Sequence, residues 1–165
     1  VAVKRGHLDA LDYLYKQGFA CGIYDAMRHA IEGGQTSIVK WLLSNHSFED
    51  DSMSTRIDNC AEYGHLEILK LCTKWFQANL ELKCKADTMD TAATHGHLEV
   101  VKWLHANRSE GCTDRAMNWA ARSGHLDVIQ WLHYTCAEKC RSDTIYRAAE
   151  HGHLETVKWL YEHCS

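Results

Sequence analysis

Proline is missing from all 165 residues of the chain. A proline inside a helix removes a hydrogen bond and clashes with the preceding turn, so its absence suits a helical chain better than a loop-rich one. No apolar run approaches the roughly 18 residues that a membrane span needs. The first residues lack the basic start and apolar stretch of a secretory signal. Positive charge is also short: 18 basic residues face 22 acidic ones, for a formal net charge of −4. Nucleic-acid binders usually present a basic face, so neither nucleic acid nor membrane is an expected partner. Motifs of chemistry are absent too. There is no glycine-rich phosphate loop, no Gly-x-Ser-x-Gly and no His-Glu-x-x-His. Ser, His and Asp occur with nothing in the sequence to assemble them. The chain therefore reads as non-enzymatic, with no catalytic residue, no cofactor and no metal expected.

What is present is a repeat. Gly6-His7-Leu8, Gly64-His65-Leu66, Gly96-His97-Leu98, Gly124-His125-Leu126 and Gly152-His153-Leu154 are copies of one phrase, and Gly34-Gln35-Thr36 is a degraded sixth. The steps between glycines are 28, 30, 32, 28 and 28 residues. This divides residues 1–165 into a single domain of six units: 1–20 (partial), 21–50, 51–79, 80–109, 110–137 and 138–165.

Each unit reads as two helices. Before the glycine, apolar residues stand seven, four and three places back, as in Met117, Ala120 and Ala121, or Ile145, Ala148 and Ala149. That is a helical spacing, with small residues where a neighbour must come close. Ser142 or Asp143 suits the N-cap of the last such helix. The glycine ends the helix, where a left-handed residue is cheap. The second helix follows, as in Leu98, Val100, Val101, Trp103 and Leu104. Glu99 and Lys102 share its solvent side, and Glu67/Lys70 and Glu155/Lys158 repeat the pairing. Helices this short cannot bury their own apolar sides, so neighbouring pairs must stack into a shared core.

The phrase Ala-Ala-x-x-Gly-His-Leu-Glu-Val-Val-Lys-Trp-Leu resembles the ankyrin repeat, over essentially the whole chain. The resemblance implies an all-α, ankyrin-like solenoid of stacked antiparallel helix pairs with short inter-repeat turns. It also implies a concave surface that binds another protein. Two departures bear on that surface. The family's Thr-Pro-Leu-His opening is missing, its place in the last unit reading Asp143-Thr144-Ile145-Tyr146. The period is 28 residues in most steps against the usual 33. The missing residues fall where the family projects its hairpin fingers, which shifts weight to the first-helix side. Val1 starts mid-helix and no unit looks like a polar cap, as in a piece cut from a longer array.

Trp41, Trp103, Trp131 and Trp159 all lie seven residues after a repeat glycine. The ankyrin resemblance implies a core leucine at this place, so they are expected to be buried. Neighbouring helical residues point about 100° apart, so Lys102 and Trp103 cannot form a base-stacking platform together. The twelve histidines include five that belong to the repeat phrase, and those are expected to bridge neighbouring turns by hydrogen bonds. The eight cysteines track the repeat. Cys84, Cys112 and Cys140 are 28 apart in turn, as are Cys136 and Cys164. With no secretion signal and a chain too long for a stapled mini-scaffold, they read as reduced, buried thiols of an intracellular protein, in the cytoplasm rather than the nucleus. Only His133, Cys136 and Cys140 are spaced as a local metal cluster, and the helix is expected to end before Cys140.

Variable positions on the first helices are the candidate binding residues: His29, Tyr63, His95, Trp119, Arg122, Tyr146, Arg147 and Glu150. Trp119 is a large aromatic in an otherwise polar row, beside two arginines, as in an interaction hot spot. Residues 45–55 and 76–86 lengthen two connections, the first with an acidic turn at Glu49, Asp50 and Asp51. They read as solvated loops or longer fingers. The leading function is a monomeric protein–protein interaction module. The alternatives are a structural spacer that positions a catalytic or degradation-targeting domain elsewhere in the parent chain, and a Cys/His metal- or redox-responsive repeat.

Overall fold

The computed structural model describes residues 3, 6–18, 22–48, 50–79, 87–108, 113–136, 140 and 142–164, without the side chains of 50–54, 78, 79, 114 and 142. Cys84, Cys112 and Glu49 lie outside the described residues. The chain divides into two compact units, Val1–Cys84 and Lys85–Ser165. Eleven helices and no strand occur among the described residues. None is long and apolar enough to cross a membrane. The first unit holds α1 (Leu8–Lys16), α2 (Ile23–Glu32), α3 (Thr36–Asn45), α4 (Asp50–Glu62) and α5 (Leu66–Asn79). The second holds α6 (Asp87–Thr94), α7 (Leu98–Asn107), α8 (Asp114–Ser123), α9 (Leu126–Thr135), α10 (Ser142–Glu150) and α11 (Leu154–His163).

First helices pack on first helices and second on second. In the first unit α2 lies on α4 and α3 on α5; in the second α8 lies between α6 and α10, and α7 packs on α9. The places seven, four and three before the glycine are buried in four units, from Met27, Ala30 and Ile31 to Met117, Ala120 and Ala121. The place eight before is buried as well, by Ala26, Thr88, Ala116 and Thr144. In α10 the pattern loosens: Ala148 is buried, Ile145 is half-buried and Ala149 is exposed, since among the described residues no further helix covers that side. The expected ion pairs form, Lys70–Glu67, Lys102–Glu99 and Lys158–Glu155 each at 2.8 Å. α10 already includes Ser142 and Asp143, so neither is its N-cap.

The repeat phrase is a helix stop joined to an inter-unit contact. Gly124 has φ +79°, and the His125 N–H reaches back to the Ala120 carbonyl at 3.0 Å, closing a Schellman turn. A Cβ on Gly124 would meet the ring of His153 from the next unit, as one on Gly96 would meet His125. His153 Nε2–H donates to the Arg122 carbonyl at 3.0 Å. His125 bonds the Thr94 carbonyl, the same offset one unit earlier. Burial is the main cause that lowers the His125 pKa. In the degraded copy Gln35 takes the imidazole's place beneath Gly6.

The repeat tryptophans are only half-buried, and the leucine after each, from Leu42 to Leu160, fills the core. Three of the indoles cover seams between adjacent helix pairs, where they meet an aromatic of the preceding repeat edge-on: Tyr15–Trp41 at 5.3 Å, His105–Trp131 at 5.3 Å and His133–Trp159 at 5.4 Å. Residues 45–55 are not an open loop. α4 begins at Asp50. Phe48 is buried, against Tyr24 and Trp75. α5 likewise runs through Phe76 to Asn79, and 80–86 lies outside the described residues. Lastly, the cysteines are not all thiols. Cys140 and Cys164 form a disulfide with Cα atoms 5.4 Å apart, because the fold returns the end of α11 to the start of its own helix pair. Cys60 and Cys72 are buried thiols, and the hydrogen bond between them, with burial, holds Cys60 well above the usual thiol pKa.

Candidate functional site

Trp119 projects from α8 with 46% of its surface exposed. Side chains of its size usually hide most of theirs. Two clefts open beside it, formed where α6, α8 and α10 lie side by side. One, of about 250 Å³, is lined by Asp87, Asp90, Thr91, Thr94, His95, Arg115 and Trp119. The other, of about 130 Å³, is lined by Asn118, Trp119, Arg122, Asp143 and Arg147. The first therefore carries two carboxylates and one guanidinium, the second two guanidiniums and one carboxylate. The indole stands between regions of opposite charge bias.

The walls are held by polar clamps between successive first helices. The Thr113 hydroxyl donates to Asp90 Oδ2 at 2.6 Å and its N–H to Oδ1 at 3.1 Å. The same hydroxyl oxygen accepts from the Arg115 N–H at 3.1 Å, capping α8. Asp90 is buried, and that burial raises its pKa, while the Thr113 bonds oppose the rise. One step on, the Thr144 hydroxyl donates to Asn118 Oδ1. Asp90 and Asn118 both stand six residues before their glycines, so one place on each first helix holds the next.

Around these clamps the polar side chains are positioned rather than loose. Arg122 Nε donates to His151 Nε2 at 3.3 Å. His151 Nδ1 donates to the Arg147 carbonyl at 3.1 Å, which turns Nε2 toward Arg122. Arg147 approaches Glu150 at 3.9 Å. His95 donates to the Thr91 carbonyl at 2.9 Å and stacks on His97 with centroids 6.2 Å apart.

Of the residues expected from sequence, His95, Trp119, Arg122 and Arg147 line the clefts. Tyr146 is 74% exposed on α10 and, like Glu150, lines neither. His29 and Tyr63 belong to the first unit. His29 pairs with Glu32 at 3.2 Å, and Tyr63 stacks on His65. Asp87, Asp90, Arg115, Asn118 and Asp143 were missed. For Asp90 and Asn118 the signal was available, a hydrogen-bonding residue six places before the glycine in adjacent units.

A metal-ligating cluster lies elsewhere in the second unit. His133, Cys136 and Cys140, the trio spaced as a local cluster in the sequence, do not gather among the described residues. Cys164 stands with His133 and Cys140 instead, all three donor atoms within 4.8 Å of one another. Cys136 lies 3.8 Å from His105 Nδ1.

Comparisons with known proteins agree with this architecture. Residues 89–133 match the family model described as "Ankyrin repeats (many copies)". No curated protein sequence matches significantly. Among solved structures, the crystal structure of the human ASB11 ankyrin repeat domain is similar in fold. It has a TM-score of 0.74 and 18% identity, covering 99% of this chain and 82% of that one.

Proposed function

Because residues 89–133 match the ankyrin-repeat family model and nearly the whole chain is similar in fold to an ankyrin repeat domain, we propose that it binds another protein through the first-helix face of its second unit. Ankyrin-repeat folds are generally scaffolds for protein–protein interaction rather than catalysts. The carrying observation is Trp119, a large aromatic left exposed between two clefts of opposite charge bias. Trp and Arg dominate interaction hot spots, and a rigid preformed face loses little entropy on binding. The fitting partner segment places an apolar side chain against the indole, an acidic residue toward Arg122 and Arg147, and a basic one toward Asp87 and Asp90. Tyr146 and Glu150 form the rim. His29 and Tyr63 belong to a corresponding first-helix surface of the first unit. The six-unit division of residues 1–165, as part of a longer repeat protein, belongs to the same reading, as does a monomeric chain inside the cell.

Affinity capture from the source lysate tests this reading. Wild type is compared with a Trp119→Ala/Arg122→Glu/Arg147→Glu variant of unchanged helical circular dichroism. A partner held by wild type and lost by the variant is the expected result; equal captures would contradict the placement.

A further inference from the structure

The cluster of His133, Cys140 and Cys164 is used by neither the core nor the Trp119 face. Cys140 Sγ lies 3.7 Å from His133 Nδ1. A tetrahedral zinc ion with bonds of about 2.3 Å to sulfur and 2.0–2.1 Å to nitrogen holds such atoms roughly 3.5 Å apart. The third donor, Cys164 Sγ, completes a group within 4.8 Å, all three residues half-buried. The scaffold sets the ring: His133, in the last turn of α9, is held edge-on by Trp159 at 5.4 Å and Tyr134 at 5.1 Å. Cys140 precedes α10 and Cys164 follows α11, so one ion would tie together a helix of one unit and both ends of the next helix pair.

A second observation points the same way. The spacing His-x6-Cys-x23-Cys occurs twice, at His133/Cys140/Cys164 and, 28 residues earlier, at His105/Cys112/Cys136. In the earlier copy Cys136 Sγ lies 3.8 Å from His105 Nδ1. Packing alone asks for a small apolar residue under a turn, not for an imidazole aimed at a sulfur in two successive units.

We propose that His133, Cys140 and Cys164 bind a soft divalent cation of the zinc class once the Cys140–Cys164 pair is reduced. A thiol reductant supplies two electrons and two protons, breaking the S–S bond to leave two thiols. On binding, the cation displaces those two protons. Two thiolates and a neutral imidazole then balance its charge, and water fills the fourth position. A disulfide oxidant reverses the step: the two thiolate sulfurs rejoin and give up two electrons, the oxidant takes these with two protons from water to become two thiols, and the ion leaves.

The test is a Co²⁺ titration of the full chain, reduced with a phosphine, followed by displacement with Zn²⁺. Wild type should develop the thiolate-to-cobalt absorption of a tetrahedral sulfur site, and Zn²⁺ should bleach it. Cys164→Ser and His133→Asn should each lose one bound equivalent, or weaken it by more than about 100-fold, since loss of a mere supporting residue typically costs 10–100-fold. The unreduced chain should not bind at this site. A reduced wild type that takes up no Co²⁺ would overturn the proposal. So would full stoichiometry and affinity in a folded Cys164→Ser or His133→Asn chain.

Discussion

At the scale of single residues, the repeat assigns neighbouring side chains to different work. Leu132 is buried and Trp131, one place before it, covers a seam edge-on to His105. Leu132→Ala should therefore cost about 2–5 kcal/mol, as in a well-packed core. Trp131→Ala should cost less, about 2 kcal/mol, despite the larger side chain. Urea unfolding of both variants checks this, and the reverse order would return the indole to the core. His125 makes a second prediction. It is packed near Asp127, the Thr94 carbonyl, His95 and His97, and burial holds its pKa below 6.5. The charged form is thus disfavoured in the folded chain. Well above 6.5 both states are neutral there and nothing changes. As the pH falls below 6.5 the unfolded chain takes up a proton that the folded chain resists, and stability is lost. His125→Gln copies what Gln35 already does beneath Gly6. It should flatten the acid-side fall in thermal midpoint between wild type at neutral pH and wild type at mildly acidic pH. An unchanged slope would show that His125 titrates alike in both states.

At the scale of elements, the turn that ends each first helix also receives the next unit. Gly152 and Gly124 both have positive φ, but a Cβ at Gly152 meets nothing within 4 Å, whereas at Gly124 it meets the His153 ring. Gly152→Ala should cost only the left-handed strain of about 1–2 kcal/mol. Gly124→Ala should cost more, by denaturant midpoint, and equal costs would mean the ring moves aside freely. Much of this was legible beforehand. The glycines marked the stops, and the places seven, four and three back marked the core, because a stacked repeat must solve one packing problem many times. What was not legible came from side chains that serve the seam. Spacing alone cannot separate Trp131 from Leu132, since both follow the apolar stripe. Nor could it show that residues 50–55 continue a helix, where Asp50 and Asp51 read as a turn. Cys164 was hidden because its partners His133 and Cys140 lie 31 and 24 residues away, and only the returning helix pair closes that distance.

At the scale of the whole molecule, two compact helical units carry a surface whose informative part is variable from repeat to repeat. The repeated places make the scaffold; Trp119 is where the pattern departs from itself, a large aromatic where the other units place smaller or polar side chains. Arg122 and Arg147 were legible in the same row, while the acidic wall of Asp87 and Asp90 was not, since those residues approach Trp119 only once α6 packs on α8. The measurement that bears most directly on this is calorimetric affinity for the captured partner, comparing wild type, Trp119→Ala and Glu99→Ala. Glu99 pairs with Lys102 on the solvent side of a second helix and serves as the control. A hot spot of 2 kcal/mol or more predicts at least a roughly 30-fold weaker Kd for Trp119→Ala and none for Glu99→Ala. An unchanged Kd at Trp119→Ala, or a loss confined to Glu99→Ala, would place the binding face elsewhere.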